Sequence, residues 1–237
     1  MIVSVRGIEK SFIRGTNRMQ VLRGIDLDAC PGECVFLAGP SGSGKSTLLS
    51  ILGCILTPDS GTVRLFGTPV EQLDETARAE LRRKRIGFVF QRFHLIRGLN
   101  ALDNVCVPMV LRGVDWHAAR RRASELLDRV GLGEHLHADP RRMSAGQCQR
   151  IAFARALAND PQLILADEPT ASLDGEHGTE AMRLLRALTA EEGKTAIVVT
   201  HDARIFGFAD RVLWLEDGRI VENREPQSTV LATAEGS

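Results

Sequence analysis

A glycine-rich segment, Gly39 to Ser46, combines the residue types that hold phosphate groups. It fits the pattern G-x-x-x-x-G-K-[ST], and it lies between a continuous apolar run, Cys34 to Ala38, and a stretch that favours a helix from Ser46. Glycines let the backbone wrap closely, so that successive N–H groups and the helix N-terminus face a bound anion. The segment therefore predicts a phosphate loop that binds ATP.

Single residues of this loop have separate expected roles. Lys45 offers a point charge to the β- and γ-phosphates, Ser46 would ligate Mg²⁺, and Thr47 lies beside it to reach the α-phosphate. The backbone cradle comprises Gly39, Pro40, Ser41, Gly42, Ser43 and Gly44. The alternative is a glycine-rich turn that happens to carry Lys-Ser, which the flanking strand and helix patterns disfavour.

A second apolar strand, Leu163 to Ala166, ends in two adjacent carboxylates, Asp167 and Glu168. Open α/β sheets bind ligands at the carboxyl edge of their strands, which is where both side chains would lie. Asp167 suits a magnesium contact, and Glu168 could orient and deprotonate an attacking water. A strand followed by two acids is often only a turn cap, so this assignment depends on the phosphate loop.

The segment Met143 to Gln147 resembles the signature of the ATP-binding cassette (ABC) family, whose usual form is Leu-Ser-Gly-Gly-Gln. Met143 conserves the apolar bulk of leucine, whereas Ala145 adds a methyl where the backbone usually approaches phosphate. Ser144 is a good N-cap, and its helix end, with the N–H of Gly146, forms an anion site. The resemblance implies that Ser144, Gly146 and Gln147 contact ATP held by a second copy of the chain.

The resemblance extends over residues 2 to 222 and assigns four further residues. Phe12 is similar to the aromatic that stacks on adenine, although a core phenylalanine is the alternative. Gln91 is similar to the switch glutamine that touches magnesium and water, and His201 to the switch histidine that contacts the γ-phosphate. The segment Ala171 to Asp174 resembles the loop that crosses between subunits. The remaining histidines are interpreted as surface or packing residues: His94, His117, His135, His137 and His177.

The pattern of elements predicts an α/β fold. Residues 1–91 suggest short strands around one helix, residues 92–159 are helical in texture, and strands alternate with a helix from 163 to 215. Asp115 and Gly131 would begin and end one of the helices of the middle stretch. With the resemblance, we expect a P-loop NTPase core, mostly parallel and flanked by helices, with an antiparallel β subdomain and an inserted α-helical lobe.

The expected organisation is a single ABC ATPase domain over residues 1–237. Residues 1–91 and 160–222 would form the core with its β subdomain, about 92–159 the helical lobe, and 223–237 a polar tail. The 30 basic and 30 acidic side chains balance, so no nucleic-acid partner is expected. Five scattered cysteines suggest reduced core thiols. The longest apolar stretch, Leu48 to Leu56, is too short to span a bilayer, so we expect a soluble chain that reaches a membrane through a partner.

The resemblance implies a motor that works as an ATP-sandwich homodimer with an integral membrane permease. The stretch Phe93 to Gly113 is similar to the subfamily of lipoprotein release and macrolide or peptide export, in which it helps to form a groove for a permease helix. The expected location is cytoplasmic, on the inner face of the cell membrane. Two alternatives stay open: a soluble ABC ATPase acting on nucleic acid, ribosomes or an assembly scaffold, and a regulatory subunit with a permease-like partner that does not transport.

Overall fold

The computed structural model describes residues 1–224. Its strands are β1 (Val3–Arg14), β2 (Asn17–Ala29), β3 (Cys34–Ala38), β4 (Ser60–Leu65), β5 (Thr68–Pro69), β6 (Ile86–Val89), β7 (Leu163–Asp167), β8 (Thr195–Val199), β9 (Arg211–Glu216) and β10 (Arg219–Arg224). Its α-helices are α1 (Lys45–Leu52), α2 (Glu75–Arg85), α3 (Ala101–Leu111), α4 (Trp116–Arg129), α5 (Ala145–Leu157) and α6 (Gly175–Glu191). Short 3-10 helices include Gly133–His135 and Ala203–Phe208.

Two sheets organise these elements. The larger has the order β10-β9-β3-β8-β7-β6, in which only β10 is antiparallel to its neighbour. The smaller has the order β2-β1-β4-β5 and is antiparallel throughout. Helices α3, α4 and α5 follow one another between β6 and β7. The expected α/β core with an antiparallel β subdomain and a helical lobe is confirmed.

The large sheet lies between two hydrophobic cores. Successive side chains of β3 alternate between them, with Phe36 and Ala38 in the core that α5 and α6 share, and Val35 and Leu37 in the core under α1 and the antiparallel sheet. All five residues of β3, and all five of β8, are buried. A strand buried on both faces has no polar face, and the apolar run at 34–38 is the sequence signal of that environment.

The interpretation of residues 1–91 as strands around one helix is wrong, because α2 is a second helix. None of its side chains is fully buried and Leu81 is only partly buried against the core, so the sequence shows little helical periodicity of apolar residues there. The local signal is its N-cap, since the Asp74 carboxylate accepts a hydrogen bond from the N–H of Ala77 at 2.7 Å.

Strands β1 and β2 are also longer than the short strands expected there. They form one hairpin that turns at Gly15 and Thr16, with Arg14 opposite Asn17. The register of the pair shifts three times, between Val5 and Ile8, between Ile8 and Glu9, and between Lys10 and Ser11. Each shift interrupts the alternation of apolar and polar residues. The alternation of apolar and polar residues therefore does not reveal the full length of the two strands.

Three expectations concern the surface and the end of the chain. Strand β10 continues through Asn223 and Arg224, two residues into the proposed tail, because both pair with β9; residues 225–237 of that tail lie outside the described residues. Of the five free cysteines, Cys30 is exposed and so is not a core thiol, whereas burial raises the pKa of Cys34 to about 12. Within residues 1–224, no helix has the length and apolarity that crossing a membrane requires.

We predict that Gly87→Ala destabilises the fold. A Cβ at Gly87 in β6 would lie 2.3 Å from the carbonyl oxygen of Ala156 in α5, so strand and helix must move apart. Overpacking of this kind costs about 1–3 kcal/mol, measurable by urea unfolding. Gly207→Ala is the matched control: nothing lies within 4 Å of its Cβ, so a change within about 0.5 kcal/mol is expected. Equal stability of both variants would contradict the close packing of β6 on α5.

Candidate active site

The phosphate loop joins β3 to α1, and close packing requires glycine at both of its ends. Gly39 has a φ of 139°, and a Cβ there would lie 2.0 Å from the carbonyl oxygen of Leu215. Gly44 has a φ of 106°, and a Cβ there would lie 2.7 Å from the side chain of Leu22. Any larger residue would displace the loop from β9 or β2.

Lys45 is the first residue of α1, and only 7% of it is exposed. Its Nζ donates hydrogen bonds to the carbonyl oxygens of Gly39 and Pro40, each at 2.8 Å. Burial lowers the pKa of this ammonium group, and the charges of Glu168 and Asp167 oppose that shift. An ammonium carries three donors, so these two bonds leave a third for a ligand in the cavity that Lys45 lines.

One cavity of about 710 Å³ brings together most of the residues predicted to act on nucleotide. They are Phe12, Ser41, Gly42, Gly44, Lys45, Ser46, Thr47, Gln91, Asp167, Glu168 and His201. Gly39, Pro40 and Ser43 belong to the loop but not to the lining of this cavity. Ser43 is 5% exposed, and its Oγ has no hydrogen-bond partner among the described residues.

The residues expected at a metal offer oxygen donors at one end of this cavity. The Ser46 hydroxyl donates to Oδ1 of Asp167 at 3.1 Å, across the gap between α1 and β7. Burial raises the pKa of Asp167, the bond from Ser46 lowers it, and the nearby charge of Glu168 raises it. A hydroxyl, a carboxylate and the amide of Gln91 in the lining of one cavity are the hard oxygen ligands that Mg²⁺ prefers, so the donor set fits that ion.

Glu168 and His201 form a hydrogen-bonded pair beside the phosphate loop. Nδ1 of His201 lies 2.7 Å from Oε1 of Glu168. Glu168 has a left-handed backbone, with a φ of 48°, and its N–H donates to the carbonyl oxygen of Val199 in β8. This turn directs the chain away from the sheet at the point where β7 ends. A carboxylate held in this way can accept a proton from a water in the cavity.

Gln91 and Phe12 both line this cavity, and they come from different parts of the chain. The carbonyl oxygen of Gln91 accepts a hydrogen bond from the Ser172 hydroxyl at 2.9 Å, which links the loop after β6 to the loop before α6. Phe12 is 38% exposed and is not a core residue. Its cross-strand neighbour Met19 and the nearby Val21 also line the cavity, and sequence reasoning missed both because β2 was not recognised before residue 25.

The signature lies on a second, separate cavity. Ser144 caps α5 in a capping box: its Oγ accepts from the N–H of Gln147 at 3.2 Å, and the Gln147 side chain accepts from the N–H of Ser144 at 3.0 Å. Ser144, Gly146 and Gln147 line a cavity of about 330 Å³ that contains no phosphate-loop residue. A single chain therefore does not bring its signature to its own phosphate loop.

Asp174 caps α6 and pairs with a histidine that the sequence interpretation assigned to surface or packing. Its carboxylate accepts from the N–H of His177 at 3.0 Å and lies 2.8 Å from Nδ1 of the same residue. His177 and His135 both line the signature cavity. The spacing of Asp174 and His177 by three residues is the only sequence signal of this arrangement.

Comparison with known proteins gives consistent matches over nearly the whole chain. The ABC transporter family model matches residues 22–171. The chain is 47% identical to a macrolide export ATP-binding/permease protein MacB of Paracoccus denitrificans, over 94% of this chain and 33% of that protein. It is 45% identical to a MacB protein of Aeromonas hydrophila, over 96% of this chain and 35% of that protein. The chain thus spans about a third of the length of these relatives.

Solved structures of ATP-binding cassettes share the fold of this chain. The ATP-binding cassette MJ0796, a dimer in a post-hydrolysis state bound to ADP and Pi, is 39% identical and superposes with a TM-score of 0.87. The match covers 95% of this chain and 99% of MJ0796, and a second dimeric structure of MJ0796, a bacterial ABC transporter cassette, gives 0.88. From the family match, the relatives and this fold, the chain belongs to the ABC transporter family and is an ATP-binding cassette ATPase.

Proposed function

We propose that the chain is the ATP-hydrolysing motor of an ABC transporter and drives a separate membrane permease of the exporter or lipoprotein-release type. The observation that carries this proposal is the separation of the phosphate-loop cavity from the signature cavity. The first cavity holds the phosphate-loop side of an ATP site, and the second holds the signature side. Support also comes from relatives named as macrolide export ATP-binding/permease proteins.

Two copies related by a two-fold axis would complete two sites. The phosphate loop of one copy would face the signature of the other, so that ATP lies between Lys45 and Ser144 of different copies. The dimeric structures of MJ0796 support this arrangement. Because the axis repeats the contact, the interface is self-complementary and closes at the dimer.

Within each site, this chain's residues have distinct roles in hydrolysis. Lys45 and the N–H groups of the loop bind the β- and γ-phosphates, while Phe12 contacts the adenine. Glu168 orients a water and accepts its proton as the water oxygen bonds to the γ-phosphorus. The bond from that phosphorus to the bridging oxygen breaks, which releases ADP and inorganic phosphate. His201 holds the Glu168 carboxylate and contacts the γ-phosphate.

Ser46, Asp167 and Gln91 would hold Mg²⁺ at the same site. When bound, the ion neutralises charge that develops on the β- and γ-phosphate oxygens. Gln91 also follows β6 directly, where the core meets the helical lobe over residues 92–159. A ligand-dependent movement of Gln91 would therefore move the lobe relative to the core over residues 1–91 and 160–222.

We propose the permease site in a mostly apolar groove of about 390 Å³ between the core and the lobe. Its lining includes Ile55 and Phe88 from the core and Val107, Pro108 and Leu111 from α3. Leu111 is 65% exposed and Ile55 is 59% exposed. Exposing such apolar side chains to water costs free energy, and a short amphipathic helix of the permease would cover them. Through this contact the chain would be peripheral on the inner face of the cell membrane.

We predict that substitutions at Lys45 and Glu168 separate binding from hydrolysis. Lys45→Ala removes a buried cation from the phosphates and should weaken ATP binding at least about tenfold. Glu168→Gln should keep ATP affinity while the rate of phosphate release falls about 10²–10⁴-fold. Nucleotide fluorescence titration and phosphate release measure the two effects, with Lys84→Ala on the exposed face of α2 as the control. Equal loss of binding in both variants would contradict the assigned roles.

A mixing experiment tests the composite site. Lys45→Ala and Ser144→Arg should each abolish hydrolysis alone, because every homodimeric site carries a lesion. In a mixed dimer one site carries both lesions and the other carries none, so an equal mixture should regain about a quarter of wild-type activity. Phosphate release that stays at the sum of the separate variants would refute the head-to-tail sandwich.

The groove prediction concerns Leu111→Asp. A carboxylate there should abolish co-purification of an integral membrane protein with the tagged chain in mild detergent, while ATPase activity of the isolated chain stays unchanged. Val221→Asp, at a residue of β10 that is 58% exposed, is the matched control and should retain the partner. Retention of the partner by Leu111→Asp would move the docking site elsewhere. A wild-type chain that recovers no membrane protein would contradict the motor proposal.

A further inference from the structure

His177 lies beside the signature rather than on open surface. It is the third residue of α6, is exposed to solvent, and lines the cavity that Ser144, Gly146 and Gln147 share. A Cβ built on Gly146 would lie 3.7 Å from Cδ2 of His177, which is ordinary van der Waals contact. The imidazole therefore lies about one methyl group away from the first turn of α5.

The first turn of α5 presents donors next to this imidazole. The N–H groups at the first positions of a helix have no partner inside the helix. The N–H of Gln147 is taken by the Ser144 hydroxyl, whereas Gly146, whose N–H is one of these first-turn donors, lines the cavity. An anion at this point would meet backbone donors on one side and His177 on the other.

The hydrogen bond to Asp174 determines which nitrogen of His177 can meet such an anion. Nδ1 lies 2.8 Å from both carboxylate oxygens, and a carboxylate only accepts, so Nδ1 carries the proton. Nε2 is then an acceptor in the neutral ring and a donor in the protonated ring. Because a phosphate oxygen accepts, only the protonated ring can bind it.

The charges around His177 favour that protonated form. The hydrogen bond that Nδ1 donates to Asp174 raises the pKa of His177 most, the charges of Asp174, Glu176 and Glu180 add to this, and slight burial opposes them. Arg150 of α5 pairs with Glu180 at 2.6 Å, so Arg150 balances Glu180 as His177 balances Asp174. The other titratable or charged groups facing this end of α6 are His135, from the 3-10 helix Gly133–His135, and Arg204, which approaches Gly175.

We propose that His177 is a phosphate-binding residue of the ATP sandwich, whose protonated Nε2 donates to the terminal phosphate of ATP held by the phosphate loop of a second copy. This role rests on the sandwich proposed above and adds a cationic contact to Ser144 and Gly146. The contact is present at pH values below the raised pKa of His177 and is lost as the pH rises through it. Closure of the dimer should then need more ATP in alkaline solution.

The test measures the ATP concentration that gives half-maximal dimer, by light scattering, in the hydrolysis-deficient Glu168→Gln chain at about pH 6 and about pH 8.5. In the parent chain this concentration should rise about tenfold with pH, the effect of one charge-assisted hydrogen bond. His177→Asn should show the high value at both pH values. His177→Arg should show the low value at both, since guanidinium keeps its charge and can still pair with Asp174.

His117→Asn is the matched control, because His117 is also an exposed histidine whose N–H donates to a capping aspartate, Asp115, but it begins α4. It should behave as the parent. Because ATP titrates in the same way with every chain, the difference in pH dependence between His177→Asn and the parent reports on His177. In the hydrolysing chain, His177→Asn should raise the KM for ATP more than it lowers kcat at the lower pH, with thermal unfolding unchanged.

The outcomes separate the two proposals. If the parent forms ATP-dependent dimers and His177→Asn shows the same pH dependence as the parent, the role of His177 is overturned and the sandwich stays intact. A parent that forms no ATP-dependent dimer at either pH would overturn both. A pH-dependent His177→Arg chain would show that charge at this residue does not set ATP affinity, which also overturns the proposal.

Discussion

The register of the three central parallel strands is the constraint on which the site depends. Leu37 of β3 pairs with Val199 of β8, and Val199 pairs in turn with Asp167 of β7. Glu168, the residue that follows β7, donates its N–H to the carbonyl oxygen of Val199, so the strands end at one level. The phosphate loop, the acid pair and His201 therefore leave the sheet at the same edge. A slip of one residue would turn every buried side chain toward the wrong core and separate these groups.

The same edge concentrates charges that are already partly desolvated. Burial lowers the pKa of Lys45 and raises that of Asp167, so each shift favours the neutral form, and the attraction between the two groups opposes both shifts. Carbonyl oxygens hold the ammonium, and the Ser46 hydroxyl holds the carboxylate. Folding therefore stabilises these groups by mutual contacts before a ligand arrives. Groups that need no reorganisation when phosphate charge develops are the most effective electrostatic catalysts.

Features that residues within one segment determine were predicted from the sequence, whereas features that depend on contacts between distant segments were not. The apolar run of β3 and the boundaries of α4 are set by residues within each segment, and both were predicted correctly. Helix α2 was missed because none of its side chains is fully buried, and Met19 because register shifts interrupt the pattern of its strand. Most of the residues that line the phosphate-loop cavity were proposed from motifs that combine several residue types at fixed spacing. The proximity of His177 to Gly146 depends on how α6 meets α5, which no local pattern contains.

Helix α5 links the parts of the cassette that must act together. It begins at the signature, and near its end Arg155 donates to the carbonyl oxygens of Phe93 and His94. Those two residues have left-handed backbones, with φ of 57° and 46°, and they follow Gln91 closely. Arg155 also lines the apolar groove. A partner in the groove would therefore touch the side chain that holds the segment after Gln91. A rotation of that segment would act on α5 through Arg155. Because a helix moves as a rigid body, the signature at the start of α5 would move as well.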